Sequence, residues 1–99
     1  MRIITINVNG IRAAERKGFF SWLEKQNADV VCLQEIKAQE DQLDERFYPS
    51  DVHTYYHSAE RKGYSGTGLI ANRSLIELLI VHGQISIQKA GLFKLTLEI

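Results

Sequence analysis

Residues 5–38 read TINVNGIRAAERKGFFSWLEKQNADVVCLQEIKA, and the order of apolar and polar residues along this stretch decides the fold. Its first residues complete a β-branched run from residue 2, with Ile3, Ile4, Thr5, Ile6 and Val8, which predicts a strand ending at the turn pair Asn9-Gly10. Over residues 13–26, Phe19, Phe20, Trp22 and Leu23 recur at helical spacing and predict an amphipathic helix, weakened in its first half by Gly18. Asn27, Ala28 and Asp29 punctuate the chain. Val30, Val31, Cys32 and Leu33 follow as a continuous apolar run, the pattern of a strand buried on both faces. Strand, helix and strand within roughly 35 residues make a βαβ-like unit, whose two strands are expected to lie close together and finish at the same end. That expectation brings Asn7 and Glu35 to one place.

Further along, residues 39–47 read as a short acidic helix stopped by Pro49. VHTYYHS (52–58) and GTGLIA (66–71) read as strands, joined by the basic, glycine-rich turn AERKGYSG (59–66) as a hairpin connection. LIELLIV (75–81) fits either a strand or a helix, and QISIQKAGLFKLTLEI (84–99) suggests two strands around Gly91.

Ninety-nine residues make one domain at most, and a domain this short buries a small fraction of its surface, so its stability is marginal. Cys32 is the single cysteine, so no intrachain disulfide adds support. Within its apolar run it reads as a small buried hydrophobe, in keeping with a reducing, cytoplasmic setting. No secretory signal and no membrane-length apolar run is visible. Net charge is zero, so bulk electrostatics do not announce a nucleic-acid binder. Distribution is more informative: Arg12, Arg16, Lys17, Arg61 and Lys62 fall near glycine turns. Glu40, Asp41, Asp44 and Glu45 cluster as a solvated face.

Taken singly, Asn9-Gly10 is an ordinary turn and Glu35 a carboxylate surfacing at a strand end. Converging, a carboxylate and an amide supply hard oxygen ligands of the kind Mg²⁺ takes sparingly from protein, filling its other positions with water and substrate phosphate.

The motifs NVNGIR (7–12), LQEIK (33–37) and KGYSG (62–66), in this order and spacing, resemble the N-terminal half of the exonuclease III and apurinic/apyrimidinic endonuclease family, within the endonuclease/exonuclease/phosphatase superfamily. The likeness covers residues 1–69. Ile6 departs from it, standing where the family often has an aromatic residue. The resemblance implies an α/β (α+β) fold: a partial, truncated four-layer αββα sandwich of the DNase I-like type. It implies that Glu35 and Asn7 bind the metal, Mg²⁺ or Mn²⁺, with Asn9 and Lys37 as supporting residues. Arg12, Arg61 and Lys62 would meet backbone phosphates, and Tyr64 and Ser65 would present the turn to the minor groove of duplex DNA. The partner implied is duplex DNA with abasic sites or 3′ ends, with no obligate protein partner. His53 and His57 do not match the family's catalytic histidine and read as structural.

The family's remaining catalytic groups, an Asp-x-Asn pair, a further tyrosine and an Asp-His pair, lie in a half that these residues do not match. The isolated chain is therefore expected to be inactive. Past Leu69 the likeness fades. Residues 85–99 can be encoded by codons that, read from the third base, spell the family-like string FDSKGRFIQADFGN, and residues 69–79 similarly yield YCKPQPDRVI. Residues 70–99 are thus expected to be a divergent tail encoded out of frame, which the codons for Gly68 to Ala71 decide. Two rival readings stand beside the repair nuclease: a superfamily phosphatase acting on phosphoinositides, against which the KGYSG turn argues, and a non-catalytic remnant or binding module.

Overall fold

The structure is a computed structural model and describes residues 1–59, 63–81, 85–90 and 92–97, with side chains through Glu77. Its elements in chain order are β1 (Ile3–Asn7), α1 (Ile11–Arg16), α2 (Phe19–Glu24), β2 (Val30–Gln34), β3 (Val52–His57), β4 (Thr67–Asn72), α3 (Arg73–Val81), β5 (Ile85–Ala90) and β6 (Leu92–Leu97). The first four strands form one mixed sheet in the order β1-β2-β4-β3, and β5 and β6 form a separate antiparallel pair. β1 and β2 are parallel neighbours, as the βαβ reading requires. β3 and β4 are antiparallel, as the hairpin reading requires. The ambiguous 75–81 stretch is helical, and two strands flank Gly91.

The expected single helix is two short ones. Gly18 takes a left-handed conformation (φ 90°), which breaks the ladder of i→i−4 bonds and ends α1 in a tight turn, with the Gly18 N–H donating to the Glu15 carbonyl (3.0 Å). Glycine adopts that region without steric cost. The acidic segment is not a helix but two 3₁₀ turns, Glu40–Gln42 and Glu45–Phe47. Leu43 between them is extended (φ −109°, ψ 109°) and buried, so burying its side chain interrupts the helical path. The four acidic side chains are solvent-exposed, as expected of a solvated face.

Strand register sorts the sheet into two faces, because directly paired residues point the same way. One face carries Ile4, Val31 and Ile70 in one row and Ile6, Leu33, Gly68 and Tyr56 in the next. This face packs on α1, α2 and the 3₁₀ turns through Ile11, Phe19, Phe20, Leu23, Leu43 and Phe47. The opposite face carries Ile3, Thr5 and Asn7, all exposed, beside the half-buried Cys32 and Gln34. β2 is therefore buried on one face rather than two, and Cys32 lies on the less covered side. Among the described residues of this face, Ala71 and Leu69 of β4 are buried, and Ile76 of α3 packs with Ala71 and Val30.

Tyr56 anchors the core row. Its hydroxyl donates to the Phe47 carbonyl (2.7 Å), and its ring fills the space above Gly68, where an added Cβ would come within 3.0 Å of it. Burial, with a smaller contribution from Tyr48, raises the phenol pKa well above its ordinary value. Tyr56→Phe is expected to cost about 1–3 kcal/mol, because it leaves a buried carbonyl without its donor. A raised folded pKa means the native state keeps the proton that the unfolded chain releases above about pH 10. Stability from this group is thus full below that pH and lost as pH rises past it. Chemical denaturation at pH 7 and 10.5 should show a steeper alkaline loss in the wild type than in Tyr56→Phe.

Candidate active site

The site forms where β1 and β2 end together, and backbone bonds continue past both strands. On one side, Val8 N–H donates to Gln34 O (3.1 Å), Gly10 N–H to Glu35 O (2.8 Å) and Ile11 N–H to Ile36 O (2.9 Å). On the other, Ile36 N–H donates to Gly66 O (3.3 Å) and Lys37 N–H to Ser65 O (2.8 Å). Residues 35–37 are thereby stitched between the Asn9-Gly10 turn and the Ser65-Gly66 turn. Ile36 points inward and is fully buried, while its neighbours Glu35 and Lys37 stand outward, half-buried.

This stitching imposes an unusual backbone. Among the described residues five non-glycine positions have positive φ, and four of them are here: Asn9 (45°), Glu35 (52°), Lys37 (51°) and Ser65 (47°). Asparagine tolerates this region, but glutamate and lysine rarely enter it. Each such residue costs on the order of 1–3 kcal/mol and persists only where its surroundings over-determine it, a situation that concentrates at functional sites.

The side chains connect in order. Asn7 donates through its amide to a Glu35 carboxylate oxygen, and its own Oδ1 accepts the Asn9 N–H (2.9 Å) in an Asx turn. The reverse amide orientation would set oxygen against carboxylate, so the network fixes this one. Lys37 Nζ donates to Asn9 Oδ1 (2.5 Å). Arg12, from the first turn of α1, donates through Nη2 to the Lys37 carbonyl (3.3 Å). Asn7, Asn9, Arg12, Glu35 and Lys37 thus belong to one connected group. Ser65 joins it through its backbone, and Tyr64 lies beside Ser65 on the turn, 54% exposed. Arg61 and Lys62 lie outside the described residues.

Glu35 is the group in this set best able to receive a cation, since it carries the one negative charge among Asn7, Asn9, Arg12, Glu35 and Lys37. No cluster of three or more His, Cys, Asp or Glu suited to a metal occurs among the described residues. His53 lies apart, with Nε2 3.8 Å from Glu77 of α3, and His57 ends β3. Sequence reasoning missed Ile36 and Gly66, which hold the group's backbone. Trp22, one of the four residues whose spacing predicted an amphipathic helix, is 43% exposed. Among the described residues no helix is long and apolar enough to cross a membrane.

Comparisons with known proteins bear on the family and the fold. The chain is 42% identical over 80 residues to an exodeoxyribonuclease of Bacillus subtilis, matching 80% of this chain and 31% of that protein. It is 36% identical over 73 residues to a DNA-(apurinic or apyrimidinic site) endonuclease of Dictyostelium discoideum, covering 74% and 20%. Among solved structures, the catalytic domain of Xenopus laevis APE2 superposes with a TM-score of 0.63 at 39% identity, covering 75% of this chain and 24% of that one. The 99 residues thus span about a third or less of these relatives, and within that span the α/β architecture is of the DNase I-like type. The sequence profile of the Endonuclease/Exonuclease/phosphatase family matches residues 4–98, and the chain belongs to that family.

Proposed function

We propose that this chain carries the cation-binding portion of the active site of a Mg²⁺-dependent DNA-repair nuclease, which hydrolyses phosphodiesters of duplex DNA at abasic sites or 3′ ends. The observation that carries the reading is the Asn7–Glu35 and Asn9–Lys37 pair of contacts at the joint end of β1 and β2, held on a left-handed backbone. The names of the Bacillus and Dictyostelium relatives support the substrate class.

In this reading Glu35 holds the ion, and Asn7 orients the carboxylate through its amide. Lys37 fixes Asn9 and places a positive charge at the site. Mg²⁺, when bound, supplies stabilisation of negative charge on the phosphodiester oxygens. Arg12, Arg61 and Lys62 would neutralise backbone phosphates, which positions a duplex without reading its sequence. Tyr64 and Ser65 present the glycine turn to the minor groove.

Two measurements test this. In a Mn²⁺ titration followed by electron paramagnetic resonance, Glu35→Gln should weaken cation binding about tenfold or more, as expected for loss of the charged ligand. Unchanged binding would overturn the assignment of Glu35. For the substrate, the chain is assayed on an abasic duplex with Mg²⁺ beside Glu35→Ala. Cleavage that vanishes in the variant supports a nuclease, and a preference for phosphoinositide vesicles over duplex would favour the superfamily's phosphatases.

A further inference from the structure

The turn that carries Tyr64 leaves the sheet after the last pair of the β3–β4 ladder, His57 with Thr67. Its two arms are therefore Ala59 on the β3 side and Ser65-Gly66 on the β4 side. The β4 arm is held by backbone bonds, from Ile36 N–H to Gly66 O and from Lys37 N–H to Ser65 O. The β3 arm is held by a side chain. Gln39 donates through Nε2 to the Ala59 carbonyl (3.1 Å), a partly buried contact between residues far apart in sequence.

Gln39 is itself fixed, which a side chain that positions another group requires. Its N–H donates to Gln42 Oε1 (2.9 Å), and its carbonyl accepts the Gln42 N–H (2.9 Å). Ala38 before it is buried, as is Leu43 after the same 3₁₀ turn. The amide orientation follows from the partner: turned over, Oε1 would face the Ala59 carbonyl, oxygen against oxygen. Glutamine supplies a donor with reach and adds no charge near Glu35 and Lys37.

We propose that Gln39 is a positioning residue for the 59–66 turn, closing its β3 arm onto the segment that begins with Glu35 and Lys37. Residues 36–39 then clasp the turn on both arms, and Tyr64 keeps one placement relative to Glu35. With the β4 arm alone held, the turn would pivot about Ser65-Gly66. A neutral hydrogen bond of this kind shifts an equilibrium by roughly 2- to 12-fold, which sets the size of the expected effects. That the positioned turn meets duplex DNA rests on the proposed function; the clasp itself does not.

Gln39→Met keeps the length of the side chain and removes the donor, and hydrogen exchange on the whole chain reads the clasp. The Lys37 N–H, which bonds to the turn, should exchange roughly 2- to 12-fold faster in the variant. The Gly10 N–H, which bonds to Glu35 O on the opposite side of the same segment, should be unchanged. Acceleration at both amides, or at neither, would overturn the proposal, because general loosening moves both and an idle bond moves none. Anisotropy of a fluorescent abasic duplex in Mg²⁺ gives the functional readout. Duplex affinity should fall by a similar factor in Gln39→Met, with Mn²⁺ affinity at Glu35 intact. Tyr64→Ala should also weaken duplex binding, and adding Gln39→Met to it should lower the affinity little further, since Gln39 acts through the turn. Fully additive losses, or a fall in Mn²⁺ affinity equal to that for the duplex, would overturn the positioning role. A wild-type chain that binds no duplex, with the exchange difference present, would instead overturn the nuclease reading and leave the clasp standing.

Discussion

Replacing Gly66 by alanine is expected to destabilise the fold by about 3 kcal/mol, summing an enforced left-handed conformation and an overpacked core. Gly66 has φ +89°, and a Cβ there would lie 2.7 Å from Ile36 Cγ1 and 3.2 Å from the His57 carbonyl oxygen. Neither neighbour yields readily, since Ile36 is fully buried and the carbonyl belongs to the backbone. For a chain of this size each kcal/mol lowers the melting temperature by roughly 4–8 °C, so thermal denaturation should show a fall of roughly 12–24 °C. Gly63 is the internal comparison. It also has positive φ (+77°) but nothing within 4 Å, so Gly63→Ala should cost only the conformational share, about 1 kcal/mol. Equal losses at the two positions would refute the packing argument.

Ile36→Ala is expected to be as damaging, at about 2–5 kcal/mol, because it removes three carbons from a fully buried site and leaves a cavity. Its consequence reaches further than the core. Ile36 is the inward-facing centre of the stitched segment, so loosening it should release Glu35 and Lys37 from their left-handed geometry. The cation affinity measured for Glu35→Gln should therefore also fall in Ile36→Ala, whereas a destabilising change outside the site, such as Tyr56→Phe, should leave it unaltered. Combining Gly66→Ala with Ile36→Ala gives a sharper check. Truncating Ile36 removes the atoms that a new Cβ would strike, so the double variant should be more stable than the sum of the singles, by about 0.5–3 kcal/mol of coupling.

How far the sequence revealed this molecule depends on the kind of interaction. The β-branched run before Asn9 and the apolar run before Gln34 were legible as strands, and their shared end brought Asn7 to Glu35. Gly18 was visible as a weak point, but not that it would split the helix, since its left-handed turn depends on how Phe19 is drawn into the core. Cys32 misled because an apolar run does not say which face of a sheet its neighbours will cover. The left-handed backbone at Glu35 and Lys37 was not legible at all. It arises from bonds to residues 8–11 and 65–66, and no local preference of glutamate or lysine announces it. Gly66 could have been singled out only by knowing that Ile36 packs beneath it.

The four left-handed side-chain-bearing residues also set stability against chemistry. Glycine at position 35 or 37 would relax the backbone there, yet it would delete the carboxylate or the ammonium that gives the site its character. Laboratory evolution for heat resistance alone should therefore drift toward silent variants at these positions, and any scheme to toughen this scaffold would need to screen for cation capture at every round.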